Sequence, residues 1–185
     1  MDQTALIVVV AVVVLAIVVV VGWFYARQRR SALLRKQFGP EYERVVRQEG
    51  DQAKAEGVLQ WRTKRRERLQ IRPLGNAART EFAERWRAIQ SRFVDDPKGA
   101  VSDADSLLSQ VMEARGYPIA NFDQRADDIS VDHPTMVQNY RAAHDIALRH
   151  SRGEASTEDL RTALVHYRSL FEELLEDNRK KEALG

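Results

Sequence analysis

Residues 156–177, STEDLRTALVHYRSLFEELLED, carry the strongest helical pattern in the chain. Apolar residues recur there at intervals of three and four positions, which is the period of one helix face. They are Leu160, Ala163, Leu164, Tyr167, Leu170, Phe171, Leu174 and Leu175. Ser156 and Asp159 stand at the spacing of an acidic variant of the capping box, a signal for the start of a helix. The stretch therefore predicts a long amphipathic helix that buries one face.

The segments upstream repeat this pattern. Four aromatic or aliphatic residues follow one another at spacings of four, three and four: Phe82, Trp86, Ile89 and Phe93. The next segment ends at Gly116 before Pro118, a normal C-terminal signal, and further helices are predicted over residues 123–128 and 134–149. No segment alternates with the two-residue period of a strand. We therefore predict an all-α protein in which residues 73–177 form a compact antiparallel helical bundle.

The N-terminal part of the chain has a different composition. Residues 5–25, ALIVVVAVVVLAIVVVVGWFY, contain no charge, and a helix of this length would be ~31 Å long, about the thickness of a bilayer core. Trp23, Phe24 and Tyr25 are typical of the aromatic band at a membrane surface. The sequence therefore predicts a transmembrane helix over residues 5–25, preceded by a short extracytoplasmic segment, residues 1–4.

The residues around this segment predict whether it is cleaved and how it is oriented in the membrane. No basic residue precedes it, it exceeds the usual ~7–15 apolar residues of a cleaved signal, and no cleavage site follows, so we interpret it as a retained signal anchor. A basic segment, residues 26–39, comes next. Its cations are Arg27, Arg29, Arg30, Arg35 and Lys36, and we expect them to contact anionic lipid headgroups. The positive-inside rule then predicts a cell-membrane protein with its N-terminus outside and its C-terminal domain in the cytoplasm.

Charge is segregated along the rest of the chain. Residues 26–90 hold 17 basic and 8 acidic residues, whereas residues 91–185 hold 12 and 18. Residues 40–72 have few apolar positions and predict a solvated helical stalk or linker. A second basic cluster lies within it, and its candidate partners are lipid headgroups, an acidic partner or the acidic part of this chain. Residues 178–185 are predicted to form a flexible tail.

The histidine-rich stretch, residues 129–150, holds three of the four histidines. His144 and His150 are six positions apart, so on a helix they point about 120° away from each other. His133 and His144 share a direction but lie ~16 Å apart along the axis. These spacings do not match a zinc-binding helix. Asp132 is interpreted as the N-cap of the helix that follows.

No other group of residues predicts a reaction. The chain has no cysteine, which excludes disulfides, thiolate metal sites and cysteine nucleophiles. Asp95 and Asp96 precede a proline and predict a turn and an N-cap, while Asp127 and Asp128 lack the ligand loop of a calcium site. No glycine-rich phosphate loop is present. We therefore predict no catalytic residue, no cofactor-binding residue, no metal site and no nucleic-acid partner.

Three strings carry a resemblance to a known group of proteins: RFVDDPKGAVSDADSLLSQVMEARGYP, DISVDHPTMVQNYRAAHDIA and GEASTEDLRTALVHYRSLFEELL. From Phe38 to Glu176 the chain resembles a family of uncharacterised bacterial single-span membrane proteins with a helical C-terminal domain. The resemblance implies a bacterial origin and a single helical domain. The family has no assigned activity, cofactor or catalytic residue, so the resemblance implies no mechanism.

These observations favour an adaptor or scaffold that is anchored in the membrane and binds another protein through its helical bundle. The alternative is a ligand-binding or enzymatic bundle in which polar residues meet only in three dimensions. Its candidate residues are Asp127, Asp128, Asp132, His133, Tyr140, His144 and His166. A further alternative is an exported envelope domain. The sequence leans away from an enzyme, because no reactive constellation is present.

Overall fold

The computed structural model describes the backbone of residues 3–118 and 120–182 and the side chains of residues 12–118 and 120–176. Every regular element in these ranges is an α-helix, which confirms the predicted all-α class. Residues 1 and 2 of the predicted N-terminal segment lie outside the description, as do residues 183–185 of the predicted tail, residues 178–185.

The helices of the described ranges follow one another without any intervening strand. They are α1 (Gln3–Phe38), α2 (Pro40–Glu49), α3 (Gln52–Glu67), α4 (Asn76–Arg92), α5 (Pro97–Ala114), α6 (Phe122–Ile129), α7 (Met136–Ser151) and α8 (Thr157–Glu182). The last five lie in the predicted bundle of residues 73–177, except that α8 continues to Glu182 and so includes residues 178–182 of the predicted flexible tail.

The long first helix, α1, contains the apolar segment. Among the described residues, one helical stretch is long and apolar enough to cross a membrane, Val12–Phe38, with a mean hydropathy of 1.6 in its apolar window. None of that window is buried against the rest of the protein. Trp23, Phe24 and Tyr25 are more than half exposed. A helix that presents apolar side chains on all sides is suited to a lipid environment rather than to water.

Two glycine turns fold α2 and α3 back on the end of α1. Gly39 (φ 48°) and Gly50 (φ 68°) adopt positive φ, which is accessible to glycine without steric cost. Pro40 stands in the first turn of α2, where its missing N–H is not needed. Asp51 caps α3 by accepting a hydrogen bond from the backbone N–H of Lys54 at 2.8 Å. We call α2 and α3 together the juxtamembrane hairpin, after the transmembrane segment that the sequence predicts before them.

A small apolar cluster joins the juxtamembrane hairpin to α1. Its buried members are Leu34, Phe38, Tyr42, Val45, Ala55 and Leu59. The Tyr42 hydroxyl also donates a hydrogen bond to Glu56 Oε1 at 2.9 Å, and Gln52 donates to the same oxygen at 2.8 Å. The hairpin is therefore held against α1 by apolar packing and by satisfied polar groups.

The main core lies between α4, α5, α7 and α8, and α8 packs along both α5 and α7. All eight apolar residues of the predicted α8 stripe are buried: Leu160, Ala163, Leu164, Tyr167, Leu170, Phe171, Leu174 and Leu175. Fully burying a leucine or phenylalanine side chain contributes roughly 1.5–3 kcal/mol. This one helix therefore supplies a large share of the free energy that stabilises the bundle.

Side-chain caps begin two of these helices where the sequence predicts them. Asp96 accepts a hydrogen bond from the backbone N–H of Gly99 at 2.9 Å, at the start of α5. Before α8, the Ser156 hydroxyl donates to Asp159 Oδ2 at 2.7 Å, and the Asp159 N–H donates back to the Ser156 hydroxyl at 3.2 Å. The N-cap at Asp96 and the acidic capping box are both confirmed.

The predicted cap of α7 is wrong. α7 begins at Met136 after Thr135, and no side chain caps it. Asp132 instead accepts a hydrogen bond from the Tyr117 hydroxyl at 2.8 Å and pairs with Arg66. The local sequence around Asp132 favours capping, but its carboxylate binds two donors from distant parts of the chain, Tyr117 and Arg66, instead.

Glu41 on α2 is fully buried, and its carboxylate is the centre of a network of charges. Arg44 Nε lies 2.9 Å from Glu41 Oε2, and Arg62 Nη1 of α3 lies 2.9 Å from Glu41 Oε1. From α7, Gln138 Nε2 donates to Oε2 at 2.7 Å and Arg141 Nη2 to Oε1 at 3.2 Å. One carboxylate therefore joins the juxtamembrane hairpin to the bundle.

Further ion pairs extend this network towards α6. Asp127 bridges two of the same arginines, since Arg62 Nη2 lies 2.7 Å and Arg141 Nη2 2.8 Å from its Oδ1. Arg65 Nε lies 2.8 Å from Asp128 Oδ1. Together with the Arg66–Asp132 pair, these contacts form what we call the arginine–carboxylate network, which links α2, α3, α6 and α7.

The structure differs here from the solvated stalk expected for residues 40–72. The segment is helical as predicted, but the hairpin lies against α6 and α7, and Arg62 is only 4% exposed. Three of its arginines, Arg62, Arg65 and Arg66, pair with aspartates of this chain, which is one of the roles expected for the second basic cluster. Apolar periodicity could not reveal this packing, because paired charges rather than apolar side chains are buried.

We expect Glu41→Gln to lower the free energy of unfolding by about 3 kcal/mol at pH 7, since breaking a buried ion pair costs roughly 3–5 kcal/mol. Burial by itself raises the pKa of Glu41, but Arg44, Arg141 and Arg62 outweigh it and hold the pKa below the ordinary value of 4.5. Substitution would leave these arginines partly unpaired. Thermal unfolding of the full-length chain in detergent micelles, followed by circular dichroism, measures the change.

This cost depends on pH in a defined direction. Because the pKa of Glu41 is lower in the folded chain, its stabilisation is present above pH 4.5 and is lost as the pH falls through the folded-state pKa. The difference in the free energy of unfolding between wild type and Glu41→Gln should therefore become smaller at acidic pH. Glu43→Gln is the matched control, because Glu43 is 56% exposed and lies 3.6 Å from Arg35. Equal effects of the two substitutions at pH 7 would contradict the role assigned to Glu41.

Candidate functional site

The cations predicted to contact lipid are all exposed on α1. They are Arg27, Arg29, Arg30, Arg35 and Lys36. The Arg27 guanidinium lies 5.5 Å from the centre of the Trp23 ring, and that of Arg29 lies 5.2 Å from the centre of the Tyr25 ring. Cations and aromatic rings therefore occupy adjacent turns of one helix, an arrangement typical of a membrane–water interface.

The polar residues of the alternative, ligand-binding hypothesis do not all meet in one cavity. Asp127, Asp128 and Asp132 are held by arginines of α3. His133 is buried, with its Nδ1 3.4 Å from Glu173 Oε1. His166 is half-buried on α8. Among the residues whose side chains are described, no three His, Asp or Glu residues are grouped to hold a metal ion.

One of these residues, His144, lines a cleft between α5, α7 and α8. The cleft has a volume of about 270 Å³, and its lining includes Asp105, His144 and Tyr167. The His144 ring stacks on Phe122, with the ring centres 3.5 Å apart. Tyr140 lies behind Tyr167, with the ring centres 6.0 Å apart. We call this cavity the Asp105 cleft.

Polar atoms behind the lining of the Asp105 cleft are closed to solvent. Asp105 Oδ1 and the hydroxyls of Tyr140 and Tyr167 are buried and make no hydrogen bond of good geometry within the described chain, and, after burial, a side-chain hydrogen bond with Asp105 contributes to the raised pKa of each tyrosine. The other Asp105 oxygen is 3.5 Å from Arg125 Nη2, a long contact. Leaving a buried polar group unsatisfied costs roughly 1–3 kcal/mol. Three such groups from three helices converge here.

The protonation states of these groups follow from their surroundings. Burial, and then the negative charge of Asp105, raise the pKa of both Tyr140 and Tyr167, so both phenols are neutral at pH 7. Burial lowers the pKa of His144 below its ordinary value of 6.5, so its imidazole is largely neutral at pH 7 as well. The floor of the cleft therefore has a carboxylate and two neutral hydroxyls.

A second concave surface lies between α4 and α8. Both helices pack on α5, and Trp86 of α4 stacks on Phe171 of α8 with the ring centres 4.7 Å apart. Above this floor is a groove of about 330 Å³, bordered by Arg79 and Arg87 on α4 and by polar residues of α8. We call it the Trp86 groove.

The α4 side of the Trp86 groove has unused hydrogen-bond donors. Trp86 Nε1 and the Nε and Nη2 atoms of Arg79 are buried without a partner. Arg87 is exposed, and neither it nor Arg79 forms an ion pair with any described residue. On the α8 side, Arg168 Nε is neutralised by Glu172 Oε1 at 2.7 Å. The α4 side therefore carries two positive charges and the amide of Gln90, and the α8 side carries Arg168 with the carboxylates of Glu172 and Glu176.

Sequence reasoning missed Asp105 and Arg79 as site residues. Asp105 stands four positions after Val101 and three before Leu108, so it lies on the apolar face of α5. An acidic residue at such a position is a usable signal for a buried carboxylate. Arg79 gives no comparable signal, because its burial depends on the approach of α8, which local sequence does not specify.

The chain matches no protein-family model, and neither a curated protein nor a solved structure matches it. Conclusions about function therefore rest on the residues of the Trp86 groove and the Asp105 cleft themselves.

We expect Tyr167→Phe to leave the free energy of unfolding unchanged or to raise it, since the removed hydroxyl is a buried group without a partner and such groups cost about 1–3 kcal/mol. Tyr117→Phe is the matched comparison, because the Tyr117 hydroxyl donates to Asp132 at 2.8 Å. Removing that bond should destabilise the protein by about 1–2 kcal/mol. Denaturant unfolding of both variants measures the difference, and equal losses would show that the Tyr167 hydroxyl is satisfied in solution.

Proposed function

We propose that this protein is a single-span membrane-anchored adaptor that binds an acidic segment of a partner protein in the Trp86 groove. α1 crosses the cell membrane, with the N-terminus outside and the bundle at the cytoplasmic face. The cations of residues 26–39 contact anionic headgroups, and the aromatic band at Trp23, Phe24 and Tyr25 lies at the interface. Because Phe38–Glu176 resembles uncharacterised bacterial proteins, the proposal includes that this membrane is bacterial.

One observation supports the binding function above all others, namely the unsatisfied donors of the groove. Arg79 has two nitrogens and Trp86 one without a partner, and Arg87 adds a free positive charge at the rim. Charged hydrogen bonds between guanidinium and carboxylate groups are among the stronger ones available to proteins. Glutamate or aspartate side chains of a partner would satisfy donors that the chain itself leaves unused.

The shape of the groove fits a chain segment rather than a compact molecule. The groove is bordered on α4 from Arg79 to Gln90, a distance of ~16 Å along a helix. An extended peptide covers this length with about five residues. The stacked rings of Trp86 and Phe171 provide an apolar floor between the polar rims. Aromatic residues and arginines are the residue types that contribute most to protein–protein binding.

The arginine–carboxylate network helps to fix the bundle relative to the membrane anchor. The buried Glu41 contacts hold the juxtamembrane hairpin to α7, and the small apolar cluster holds the hairpin to α1. The bundle is therefore attached to α1 by more than a flexible chain. A groove held at a fixed height above the membrane favours partners in the same membrane, since a tether raises their effective concentration.

Trp86 provides a direct probe of this proposal. In a Trp23→Phe/Trp61→Phe background, Trp86 is the sole remaining tryptophan. We expect an octaglutamate peptide to change its fluorescence, and an octalysine peptide of equal length to have no effect. Arg79→Gln/Arg87→Gln should weaken binding about tenfold or more, since two charged contacts are lost.

The matched control is Arg85→Gln. Arg85 lies on the same helix, but it pairs with Glu81 at 3.8 Å and donates to Gln110 at 2.7 Å, facing α5 rather than the groove. Its substitution should leave octaglutamate binding unchanged. Equal weakening by Arg85→Gln would indicate general attraction to a basic protein and would contradict a specific groove.

The orientation has its own test, which uses the absence of cysteine. Glu154→Cys introduces a thiol in the exposed loop between α7 and α8, and Thr4→Cys introduces one before the apolar segment. In intact cells, a membrane-impermeant maleimide should label Thr4→Cys but not Glu154→Cys until the cells are lysed. The reverse pattern would overturn the cytoplasmic placement and favour an exported envelope domain.

A further inference from the structure

A third concave surface lies between α1 and α3, next to the end of the apolar segment. Its volume is about 360 Å³. Its aromatic and polar lining residues are Trp23, Arg27 and Arg30 of α1 and Glu56 and Gln60 of α3. The remaining lining residues are two alanines and Gly57, which are small. We call this surface the α1–α3 groove.

Two of the five cations of the basic segment line the α1–α3 groove. Successive helix residues are rotated by about 100°, so Arg27 and Arg30 point about 60° apart, whereas Arg29 points about 160° away from Arg27. Arg27 and Arg30 are exposed. Arg35 lies 3.6 Å from a carboxylate oxygen of Glu43, but neither groove arginine forms an ion pair with any residue whose side chain is described. Both charges are therefore available to a ligand.

The contact between Arg27 and Trp23 leaves the guanidinium able to donate hydrogen bonds. The guanidinium carbon lies over the Trp23 ring, 5.5 Å from its centre. A guanidinium carries its five N–H groups in its own plane, so they stay free when its face is against a ring. Guanidinium groups bind phosphate through pairs of parallel N–H···O bonds. Arg27 and Arg30, on adjacent turns, are therefore suited to bind one phosphate group together.

The carboxylate of Glu56 lines the same groove but does not cancel its positive charge. Glu56 is only 6% exposed. Its Oε1 accepts hydrogen bonds from the Tyr42 hydroxyl at 2.9 Å and from Gln52 Nε2 at 2.8 Å. Two arginines and one glutamate give the lining a formal charge of +1. This charge complements the single negative charge of a phosphodiester.

The position of the groove along α1 favours a lipid as the source of that phosphodiester, and this step rests on the proposal that α1 crosses the membrane. Tyr25 ends the uncharged segment. At 1.5 Å per residue, Arg27 and Arg30 stand ~3 Å and ~8 Å beyond Tyr25 along the helix. The headgroup layer on each side of the hydrocarbon core is ~5–8 Å thick. The two arginines therefore lie at the level of the headgroups.

We propose that the α1–α3 groove binds the headgroup of one anionic phospholipid, whose phosphate accepts hydrogen bonds from Arg27 and Arg30. The Gln60 amide offers a partner to headgroup hydroxyls, and the acyl chains lie along the apolar part of α1 beyond Trp23. Phosphatidylglycerol has this chemistry, with one phosphodiester charge and two hydroxyls. The proposal goes beyond a general attraction of five cations to an anionic surface, because it assigns one lipid to one site.

The test uses the full-length protein in micelles of a neutral detergent, with native mass spectrometry to count the bound lipids during a titration. We expect one phosphatidylglycerol per chain to bind saturably, and phosphatidylcholine with the same acyl chains to bind at least tenfold more weakly. Arg27→Gln/Arg30→Gln should weaken phosphatidylglycerol binding about tenfold or more, since two charged contacts are lost. Arg47→Gln/Lys64→Gln is the matched control. It removes two exposed cations of the juxtamembrane hairpin that do not line the groove and should bind as wild type does.

A further variant blocks the groove without changing its charge. No atom lies within 4 Å of the position that a Cβ at Gly57 would occupy, and leucine favours a helix over glycine. Gly57→Leu should therefore keep the helical circular dichroism spectrum and weaken phosphatidylglycerol binding at least tenfold by filling the groove.

Four results would overturn the proposal. They are a lack of saturable phosphatidylglycerol binding, equal losses in the two double variants, wild-type affinity in Gly57→Leu, and displacement of the lipid by an equal concentration of glycerol 3-phosphate, which would indicate a site for a soluble phosphate. The octaglutamate and maleimide experiments are independent of this titration. If they give the expected results and the lipid does not bind, only the lipid site is wrong.

Discussion

The burial of one carboxylate, that of Glu41, constrains the arrangement of the whole chain. A buried charge is tolerated only when oppositely charged or hydrogen-bonding groups surround it. Glu41 meets this condition because it accepts hydrogen bonds from Arg62 of α3 and from Gln138 and Arg141 of α7. These donors are 21 to 100 positions away in the sequence. The juxtamembrane hairpin cannot leave the bundle without exposing this carboxylate or leaving its arginines unpaired.

This constraint makes the basic segment after α1 a structural connector between α1 and the bundle. Without the network, residues 40–67 would have little apolar surface to bury against the bundle, since the buried apolar residues of the hairpin face α1 instead. The hairpin therefore uses its two faces differently, with apolar packing towards α1 and ion pairs towards α6 and α7. The consequence is a bundle whose grooves are held relative to α1 by many contacts at once.

Sequence patterns predict the helical elements well and the charged contacts poorly. The α8 stripe and the Ser156–Asp159 capping box depend on residues three or four positions apart, so local periodicity contains the information. The Glu41 contacts depend on side chains from three helices, and no spacing rule relates such positions. Asp132 shows the same limit of local sequence patterns. It is a residue type suited to an N-cap, but it binds Arg66 and Tyr117 instead. A usable signal remains, since Glu41 lies four positions before Val45 on the buried face of α2.

Glu41 and Asp105 are both acidic residues on otherwise apolar helix faces, but their carboxylates have very different hydrogen bonding. Glu41 accepts hydrogen bonds from four side chains, so nothing remains for a ligand and its role is structural. Asp105 has one long contact, to Arg125, and burial together with the charge of Asp105 raises the pKa of the neighbouring Tyr140 and Tyr167. The number of donors that neighbouring helices bring to each carboxylate, which local sequence does not specify, therefore separates the two cases.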